Sequence, residues 1–257
     1  MLAVAGRPEP NLDFDTRAVD YARHRKTHPG VVHALADSGL FHPQMRALDV
    51  GCGTGNYAAA LTQGVNCRIS GVDPSARMLE LAREAAPWDS LVQGTAESLP
   101  FADHVFDVVM STDVIHHIKD RDAYYREAAR VLRPGGHIVT VTDSHEDIPR
   151  RRPLSSYFPE TIEIELRRYP PVPQLMTEMA QAGFSESRLA HVDFAYDLEE
   201  LQAYRDRAFS SLLLVDDEAF GRGISRMEAD LARGPIPCLS LYTIIWGTLP
   251  GALRAIQ

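Results

Sequence analysis

Apolar and polar positions alternate in two rhythms along the middle of the chain. Short apolar runs predict β-strands at Ala47–Val50, Arg68–Val72, Ser90–Gln93, Val105–Met110 and His137–Thr142. Between them, apolar residues at helical spacing predict helices over Tyr57–Gln63, Ala76–Ala85 and Asp122–Leu132. Residues 106–110 and 138–141 are apolar on successive positions, which is typical of strands covered on both faces. This alternation predicts an α/β, doubly wound Rossmann-like fold with a mostly parallel sheet.

The segments on either side of this core have looser patterns. Residues 1–44 are predicted to form an N-terminal arm and lid helices, with helical spacing over Thr16–His24 and Val31–Leu40. After residue 143 the pattern predicts a helix over Val172–Ala182 that Gly183 ends, and a strand at Arg188–Tyr196. A helical insertion over residues 198–232 follows, read as the helices Leu198–Leu214 and Glu218–Ala232. With a last strand at Leu241–Trp246, we expect one domain over residues 1–257, in which residues 45–143 bind a cofactor and residues 144–257 face the substrate.

Composition and charge narrow the class of protein. The chain has 257 residues, 45% of them hydrophobic and 24% charged, which is ordinary for a globular protein. A formal charge of -9 disfavours nucleic acid as the main partner. Three scattered cysteines do not suggest a disulfide framework, and the apolar segment Leu239–Leu249 is shorter than the ~20 residues of a membrane span. We therefore expect a cytoplasmic protein without a membrane partner, as a monomer or a homodimer.

A glycine-rich turn carries the strongest chemical signal. The predicted first strand ends at Asp49-Val50, and glycines follow at positions 51, 53 and 55 before a helix. Such a turn lies where open α/β sheets bind their ligands. Residues 53–58 also match the G-x-G-x-x-G/A pattern of dinucleotide-binding proteins. NAD and S-adenosylmethionine are therefore both candidates.

Acidic residues near this turn favour S-adenosylmethionine. Asp49 lies at the mouth of the turn, where a carboxylate would repel a diphosphate but suits an ammonium or sulfonium group. Asp73 ends the second predicted strand, 18 positions after Gly55, where an acid binds the ribose that both cofactors share. Glu97 follows the third strand, where it or the adjacent backbone can meet the adenine amino group.

Five segments in register resemble the class I S-adenosylmethionine-dependent methyltransferases, in the style of the small-molecule branch that serves ubiquinone and menaquinone biosynthesis. The segments lie within residues 45–143 and are 49–55, 72–75 with Met78, 96–101, 106–109 and 130–136. The resemblance implies a seven-stranded sheet with an antiparallel last strand. Tyr21 and Arg25 match a Tyr-x-x-x-Arg element that folds over the methionine end of the cofactor in this family. The candidate cofactor contacts are Tyr21, Arg25, Asp49, Gly51, Cys52, Gly53, Asp73, Pro74, Met78, Ala96, Glu97 and Ser111.

Candidate catalytic residues follow the fourth and fifth strands. A base assists methyl transfer when the acceptor is a hydroxyl, an ammonium or an acidic carbon, and imidazole titrates near neutral pH. His116 and His117 are the first candidates, although a histidine that begins a helix is often a cap or a packing residue. Glu163 or Glu165 could serve if buried beside the cofactor. No metal site is expected, because adjacent histidines do not easily converge on one ion.

Candidate substrate contacts lie in the same region. They are Asp113, Tyr157, Arg167 and Arg168. Together with Arg150–Arg152, the two later arginines could bind a carboxylate or phosphate, or they could belong to a solvated basic connector. The composition favours the solvated connector, because 24 of the 26 lysines and arginines are arginines and a cluster of arginines is therefore less informative.

The sequence thus predicts methyl transfer to a small molecule, amphipathic and aromatic or isoprenoid, with an acidic end. Three alternatives stay open at this point. One is C-methylation of an isoprenoid diphosphate or another phosphorylated or carboxylated substrate bound by the arginines. The others are an NAD(P)-dependent reductase and a non-catalytic protein that binds the cofactor.

Overall fold

The computed structural model describes residues 15, 18, 22–24 and 26–251. The strands in this part of the chain are β1 (Arg46–Val50), β2 (Arg68–Asp73), β3 (Ser90–Gln93), β4 (Phe106–Thr112), β5 (Leu132–Thr142), β6 (Ser185–Leu198) and β7 (Ile236–Thr248). The α-helices are α1 (Pro29–Asp37), α2 (Asn56–Val65), α3 (Ala76–Ala85), α4 (Arg121–Val131), α5 (Leu154–Tyr157), α6 (Glu160–Arg168), α7 (Val172–Gln181), α8 (Gln202–Arg205) and α9 (Asp217–Leu231).

The strands of the described residues form one seven-stranded sheet in the order β3-β2-β1-β4-β5-β7-β6. Strands β1 to β5 pair in parallel, whereas β7 is antiparallel to both of its neighbours, β5 and β6. The predicted doubly wound α/β sheet with an antiparallel last strand is confirmed. Each parallel strand ends at the same edge of the sheet, and the loops that carry the candidate residues meet there.

Strand β4 shows why apolar residues fill successive positions. Val108, Val109 and Met110 are all fully buried. Val109 packs into the cluster that contains Tyr124 of α4, whereas Val108 and Met110 pack into a second cluster that contains Leu35 of α1. Because side chains alternate between the two faces of a strand, each face has its own apolar layer of helices.

The C-terminal half corrects one predicted helix and adds another. The chain over Leu198–Leu214 is not one helix but α8 followed by a 3-10 turn at Ser210–Leu213. Arg207 interrupts it with a left-handed φ of 49°, and its guanidinium donates to the carbonyl oxygens of Leu212 and Val215 at 3.2 and 3.1 Å. Helix α6 lies in a segment for which the sequence pattern predicts no helix.

The segment after β5 and the insertion between β6 and β7 pack against each other. A third apolar cluster joins Phe158 to Tyr204, Leu212 and Met227, apart from the two clusters of the sheet. Helix α9 approaches so closely that a Cβ added at Gly223 would overlap the Phe158 ring. These elements form a cap beside the carboxyl ends of the strands, which we call the lid (residues 144–171 and 198–232).

Within the described residues, no helix is both long enough and apolar enough to cross a bilayer.

Candidate functional site

Two connected cavities lie at the carboxyl ends of β1, β2, β4 and β5. The main cavity has a volume of about 1170 Å³ and extends from the glycine turn to the lid. A small inner pocket of about 40 Å³ lies beside the same turn. The residues that line both are Lys26, Gly51, Gly53, Thr112 and Asp113.

The glycine turn has a backbone that other residues adopt only under strain. Gly51, Gly53 and Gly55 have φ values of 69°, 52° and 80°. The amides of Gly51 and Cys52 both donate to the carbonyl oxygen of Val72, at 2.8 and 3.1 Å. A Cβ at Gly51 would lie 2.5 Å from a methyl carbon of Val114. The glycines therefore give the turn its shape, and Gly51 lets the Val114 side chain pack against the backbone.

Helix α2 begins directly at the inner pocket. Its N-cap is Gly55, which has no side chain of its own to cap the first amide groups of the helix. Asn56 and Tyr57, the first two residues of α2, line the inner pocket. Amide groups at a helix N-terminus carry a partial positive charge and attract anionic groups. This end of the pocket therefore favours a carboxylate.

Asp73 connects the glycine turn to the second strand. One carboxylate oxygen accepts from the amide of Gly53 at 2.9 Å, and the other accepts from the amide of Ser75 at 2.9 Å. Burial raises the pKa of Asp73, and these two hydrogen bonds act against that rise. Pro74 and Met78 line the same wall of the main cavity.

Asp49 is a buried carboxyl group in the wall of the inner pocket. It is 3% exposed, and it lies beside Cys52 in the pocket lining. Burial raises the pKa of Asp49 to about 8, and the nearby charge of Asp73 adds to the rise. Burial also raises the pKa of the Cys52 thiol. A cation placed next to Asp49 would favour the ionised form of its carboxyl group.

The loop after β4 brings aromatic rings and a carboxylate to the centre of the main cavity. The His116 ring stacks on the Tyr169 ring with 4.0 Å between their centroids. The centroid of the His117 ring also lies 4.0 Å from that of His116. Asp113 has a left-handed φ of 58°, and its carboxylate accepts a hydrogen bond of 2.6 Å from the Tyr242 hydroxyl. All five residues line the main cavity.

A buried ion cluster forms the next part of the wall. The Arg151 side chain is 11% exposed and donates to Asp143 at 2.7 Å. Arg151 also binds the carboxylate of Glu165, whose side chain is 5% exposed. Asp143 follows β5, whereas Glu165 comes from α6, so Arg151 joins the sheet to the lid.

The far end of the main cavity is aromatic. Phe194 and Tyr196 of β6 stack with 5.7 Å between ring centroids. Tyr204 and Phe209 of the lid lie 5.0 Å apart. All four line the cavity, together with Leu213. We call this end the aromatic lobe.

The main cavity is acidic in its described lining. Seven carboxylates line it against four cationic side chains, with the histidines left aside. The acids are Asp73, Asp113, Asp143, Glu165, Asp197, Glu199 and Glu200. The cations are Arg23, Lys26, Arg151 and Arg152. Such a balance disfavours a polyanionic ligand.

Comparison with known proteins assigns the core of the chain to a family. Residues 48–140, from β1 through most of β5, match the methyltransferase domain family. The demethylmenaquinone methyltransferase of Staphylococcus aureus is 38% identical over 110 residues, 41% of this chain and 46% of that protein. Residues 48–140 are therefore similar to a methyltransferase domain.

Two further proteins resemble this chain. The 2-methyl-6-phytyl-1,4-hydroquinone methyltransferase of Synechocystis is 31% identical over 156 residues, 58% of this chain and 46% of that protein. The phosphoethanolamine N-methyltransferase 2 of Haemonchus contortus, solved with S-adenosyl-L-methionine, has a TM-score of 0.58 at 21% identity and shares the fold over 92% of this chain and 57% of that one. The chain spans about half the length of the curated relatives that it matches.

S-adenosylmethionine is bound in the Haemonchus contortus structure, and the residues around the cavity of this chain fit that cofactor. The turn at Gly51 and Gly53 lines the cavity, and Asp73 ends β2, where an acid can bind a ribose. Asp49 offers a carboxylate to a positively charged group, and the partial positive charge at the N-terminus of α2 favours a negative one. A cofactor with both charges and no phosphate suits this lining.

The predicted cofactor contacts separate into three groups. Gly51, Gly53, Asp73, Pro74 and Met78 line the main cavity, and Asp49 and Cys52 line the inner pocket. Ala96, Glu97 and Ser111 line neither; Glu97 accepts from the Lys119 amide at 3.2 Å, and Ser111 is 1% exposed. Tyr21 and Arg25 lie outside the described residues.

Helix α6 separates the two glutamates proposed as bases. Glu165 lines the main cavity but is bound to Arg151. Glu163 is 80% exposed and pairs with Arg167 at 2.6 Å, on the outer face of the helix. Two positions along an α-helix turn a side chain by roughly 200°, so both cannot face the cavity. The prediction for Glu163 is therefore corrected.

Three predicted substrate contacts also need correction. The Tyr157 hydroxyl donates to Asp230 at 2.7 Å and its ring packs against the third apolar cluster. Arg167 is 65% exposed, and Arg168 donates to the Ser210 hydroxyl at 3.1 Å. None of these three lines a cavity, whereas Asp113 does. Helix α6 and the apolar cluster of the lid fix where these three side chains lie, and the sequence pattern predicted neither.

The sequence did not identify Tyr242 as a residue of the site. It also did not show that Arg151 binds two carboxylates. Tyr242 lies on β7, two strands from β4 in the sheet, and this strand order brings its hydroxyl to Asp113, which follows β4. Arg150 pairs with Asp147 at 3.3 Å and is 64% exposed, so the three consecutive arginines do not act together. Within the described part of the chain, no group of His, Cys, Asp and Glu converges as a metal site.

Proposed function

We propose that the protein transfers a methyl group from S-adenosylmethionine to a small-molecule acceptor. The acceptor lies between the 3-10 turn Ile115–His117, which we call the histidine turn, and the aromatic lobe. The observation that carries this proposal is the continuous cavity of about 1170 Å³ that joins the glycine turn to both. Cavities for one drug-sized ligand measure roughly 300–1,000 Å³. There is room for a cofactor and an acceptor side by side.

Positioning supplies most of the catalysis in this proposal. When bound, the cofactor supplies an activated methyl group on a positively charged sulfur. Methyl transfer is an in-line displacement, and holding two reactants in line contributes up to roughly 7–11 kcal/mol in favourable cases. Tyr169 stacks on His116 and limits the movement of its ring, while Tyr242 holds the carboxylate of Asp113. The proton of the acceptor moves to an imidazole nitrogen of His116 or His117.

The acceptor that fits this cavity is amphipathic, aromatic or isoprenoid in its apolar part, and uncharged at its polar end. Phe194, Tyr196, Tyr204 and Phe209 supply an apolar surface for its body. The acidic end that we expected from the arginines loses support, because Arg151 is already paired with two carboxylates and Arg167 and Arg168 lie outside the cavity lining. Carboxylates also outnumber the cationic side chains of the lining, which include Arg152. An isoprenoid diphosphate is disfavoured for the same reason. The two quinone-related names among the relatives agree with a phenolic acceptor.

An acceptor panel tests the proposal. The purified protein is incubated with S-adenosylmethionine and, separately, prenylated hydroquinones, simple phenols, amines and prenyl diphosphates. Liquid chromatography with mass spectrometry measures S-adenosylhomocysteine and any product heavier by one methylene group. Methylated hydroquinones or phenols that disappear in the doubly substituted His116→Ala, His117→Ala variant are expected. Turnover of diphosphates alone would refute the acceptor class, and cofactor binding without turnover of any acceptor would favour a non-catalytic protein.

A further inference from the structure

Strand β6 forms one edge of the sheet and is long and uncovered. It has 14 residues, none of them buried, and among the described strands it pairs only with β7. Leu189 and Phe194, both on β6, are the large apolar side chains that are exposed in the described part of the chain. The opposite edge, β3, has only four residues. A long edge strand with exposed apolar residues can pair with a strand of another molecule.

The backbone groups of alternate β6 residues point away from β7. Leu239 of β7 exchanges both of its backbone hydrogen bonds with Arg152, at 2.9 and 3.0 Å. Ala195 lies opposite Leu239 on β6, so its own N–H and C=O point outward, and the same holds at every second residue back to Leu189. Within the described residues, no backbone hydrogen bond outside the sheet pairing reaches β6.

The sequence of β6 is self-complementary when two copies pair antiparallel about Val192. His191 of one copy, whose side chain is 63% exposed, then lies opposite Asp193 of the other, and two-fold symmetry forms this imidazole–carboxylate pair twice. In the same register the exposed Leu189 lies opposite Ala195, and both have outward backbone groups, as an antiparallel ladder requires. The neighbouring register about Asp193 would instead place two carboxylates opposite each other.

Phe194 connects this edge to the acceptor side of the main cavity. It belongs to the aromatic lobe and is nevertheless 38% exposed. In the pairing about Val192 it lies opposite Ala190 of the second copy, so the added strand runs along the outer wall of the aromatic lobe. Helix α1 comes near the same edge at Gly30, which has no side chain, and Asp193 remains exposed there.

We propose that two copies of this chain form a homodimer in which their β6 strands pair antiparallel about Val192 and join the two sheets into one. Residues 189–195 of the two copies supply about eight backbone hydrogen bonds in this arrangement. The two-fold pairing uses the long edge of each copy, so the assembly closes at two chains. This inference depends on neither the cofactor nor the acceptor of the proposed function.

Sedimentation velocity of the full-length protein over about a hundredfold range of concentration tests the assembly. A reversible equilibrium between one and two chains is expected. Hydrogen exchange followed by mass spectrometry locates the contact: amides of residues 185–198 are expected to exchange about tenfold more slowly at the highest concentration, with residues 90–93 of β3 unchanged. A single chain at every concentration, assemblies larger than two chains, or equal exchange of β6 throughout would overturn the proposal.

New cysteines test the register, because the three native cysteines are buried. Val192→Cys places two thiols opposite each other at a pair without backbone hydrogen bonds, where the Cα atoms lie about 4.5 Å apart and a disulfide can form. Mild oxidation is expected to link this variant into a covalent dimer. The matched variant Ala190→Cys, which lies opposite Phe194, is expected to stay unlinked. Equal linking of both variants, or of neither, would contradict pairing about Val192.

A proline on the outer edge connects the dimer to the site. Ala195→Pro removes an outward N–H and leaves the pairing with β7 intact, so it is expected to weaken the dimer by about tenfold or more, whereas Ala195→Val dimerises as wild type does. Circular dichroism checks that both variants are folded. For an accepted substrate, Ala195→Pro is expected to raise KM without changing the affinity for S-adenosylmethionine, because Phe194 loses its cover. A dimer of unchanged affinity in Ala195→Pro would overturn the role of β6, whereas absence of turnover with every acceptor would refute only the proposed function.

Discussion

Replacing Asp49 by asparagine is expected to change how stability depends on pH. The carboxyl group is 3% exposed, and burial raises its pKa from 3.8 to about 8. In the unfolded chain it ionises at its ordinary pKa, so between the two values the native state holds a proton that the unfolded state has lost. Stability conferred by this group is therefore complete below pH 3.8 and falls as pH rises towards 8.

The size of the effect follows from the shift. Each pH unit inside that window lowers the free energy of unfolding by about 1.4 kcal/mol. Between about pH 5 and pH 7 the wild-type protein should lose roughly 3 kcal/mol relative to Asp49→Asn. Urea denaturation of both proteins across this range measures the difference, and contributions of other titrating groups cancel in the comparison. Parallel pH profiles for the two proteins would refute the assignment of a buried, protonated Asp49.

The same substitution tests the link between Asp49 and the cofactor. A cation next to the carboxyl group favours ionisation, so binding of S-adenosylmethionine should release a proton from the wild-type protein below pH 8. Calorimetry in buffers of different ionisation enthalpy counts the released protons. Asp49→Asn, measured alongside, corrects for titration of the ligand itself. An equal proton count in both proteins would contradict the contact.

Three further substitutions have defined outcomes. Gly51→Ala should lose cofactor binding and about 1–2 kcal/mol of stability, because φ is 69° and the new Cβ would overlap Val114. Thermal unfolding with and without S-adenosylmethionine measures both effects, and unaltered binding would contradict the prediction. Arg151→Met should cost about 3–5 kcal/mol in urea denaturation, since it leaves two buried carboxylates without their cation, while the exposed Glu163→Gln should stay within about 0.5 kcal/mol. Tyr242→Phe should lower kcat for the accepted substrate with little change in cofactor affinity, because it releases a carboxylate beside the histidine turn; steady-state kinetics and calorimetry test it, and an equal loss in both quantities would argue for a general structural role.

The sequence pattern predicted the elements whose formation depends on residues close together in the chain. Strand β4 and helix α3 follow from runs of adjacent residues, and Ser75 caps α3 as a residue of its type does. The predicted helix over residues 198–214 failed because Arg207 adopts a left-handed φ and binds carbonyl oxygens further along the chain. The spacing of apolar residues gives no information on such hydrogen bonds from a side chain to the backbone of a following loop.

The candidate site divides in the same way. Gly51, Gly53 and Asp73 follow directly from a motif whose spacing fixes their positions at strand ends. Glu163 could not be distinguished from Glu165 without knowing that both lie on one helix. Tyr242 approaches Asp113 from a strand more than a hundred residues away in sequence, and only the sheet register brings the two together.

The lid has an apolar cluster of its own, apart from the two clusters of the sheet. Phe209 of the aromatic lobe and the glycine turn share no packing partners. The change in free energy of a double variant, with one substitution at each place, should therefore equal the sum of the two single changes. The β6–β7 pair anchors both ends of the insertion over residues 202–231. Exchange of both lid segments together is thus expected to alter acceptor preference while the cofactor half stays as it is.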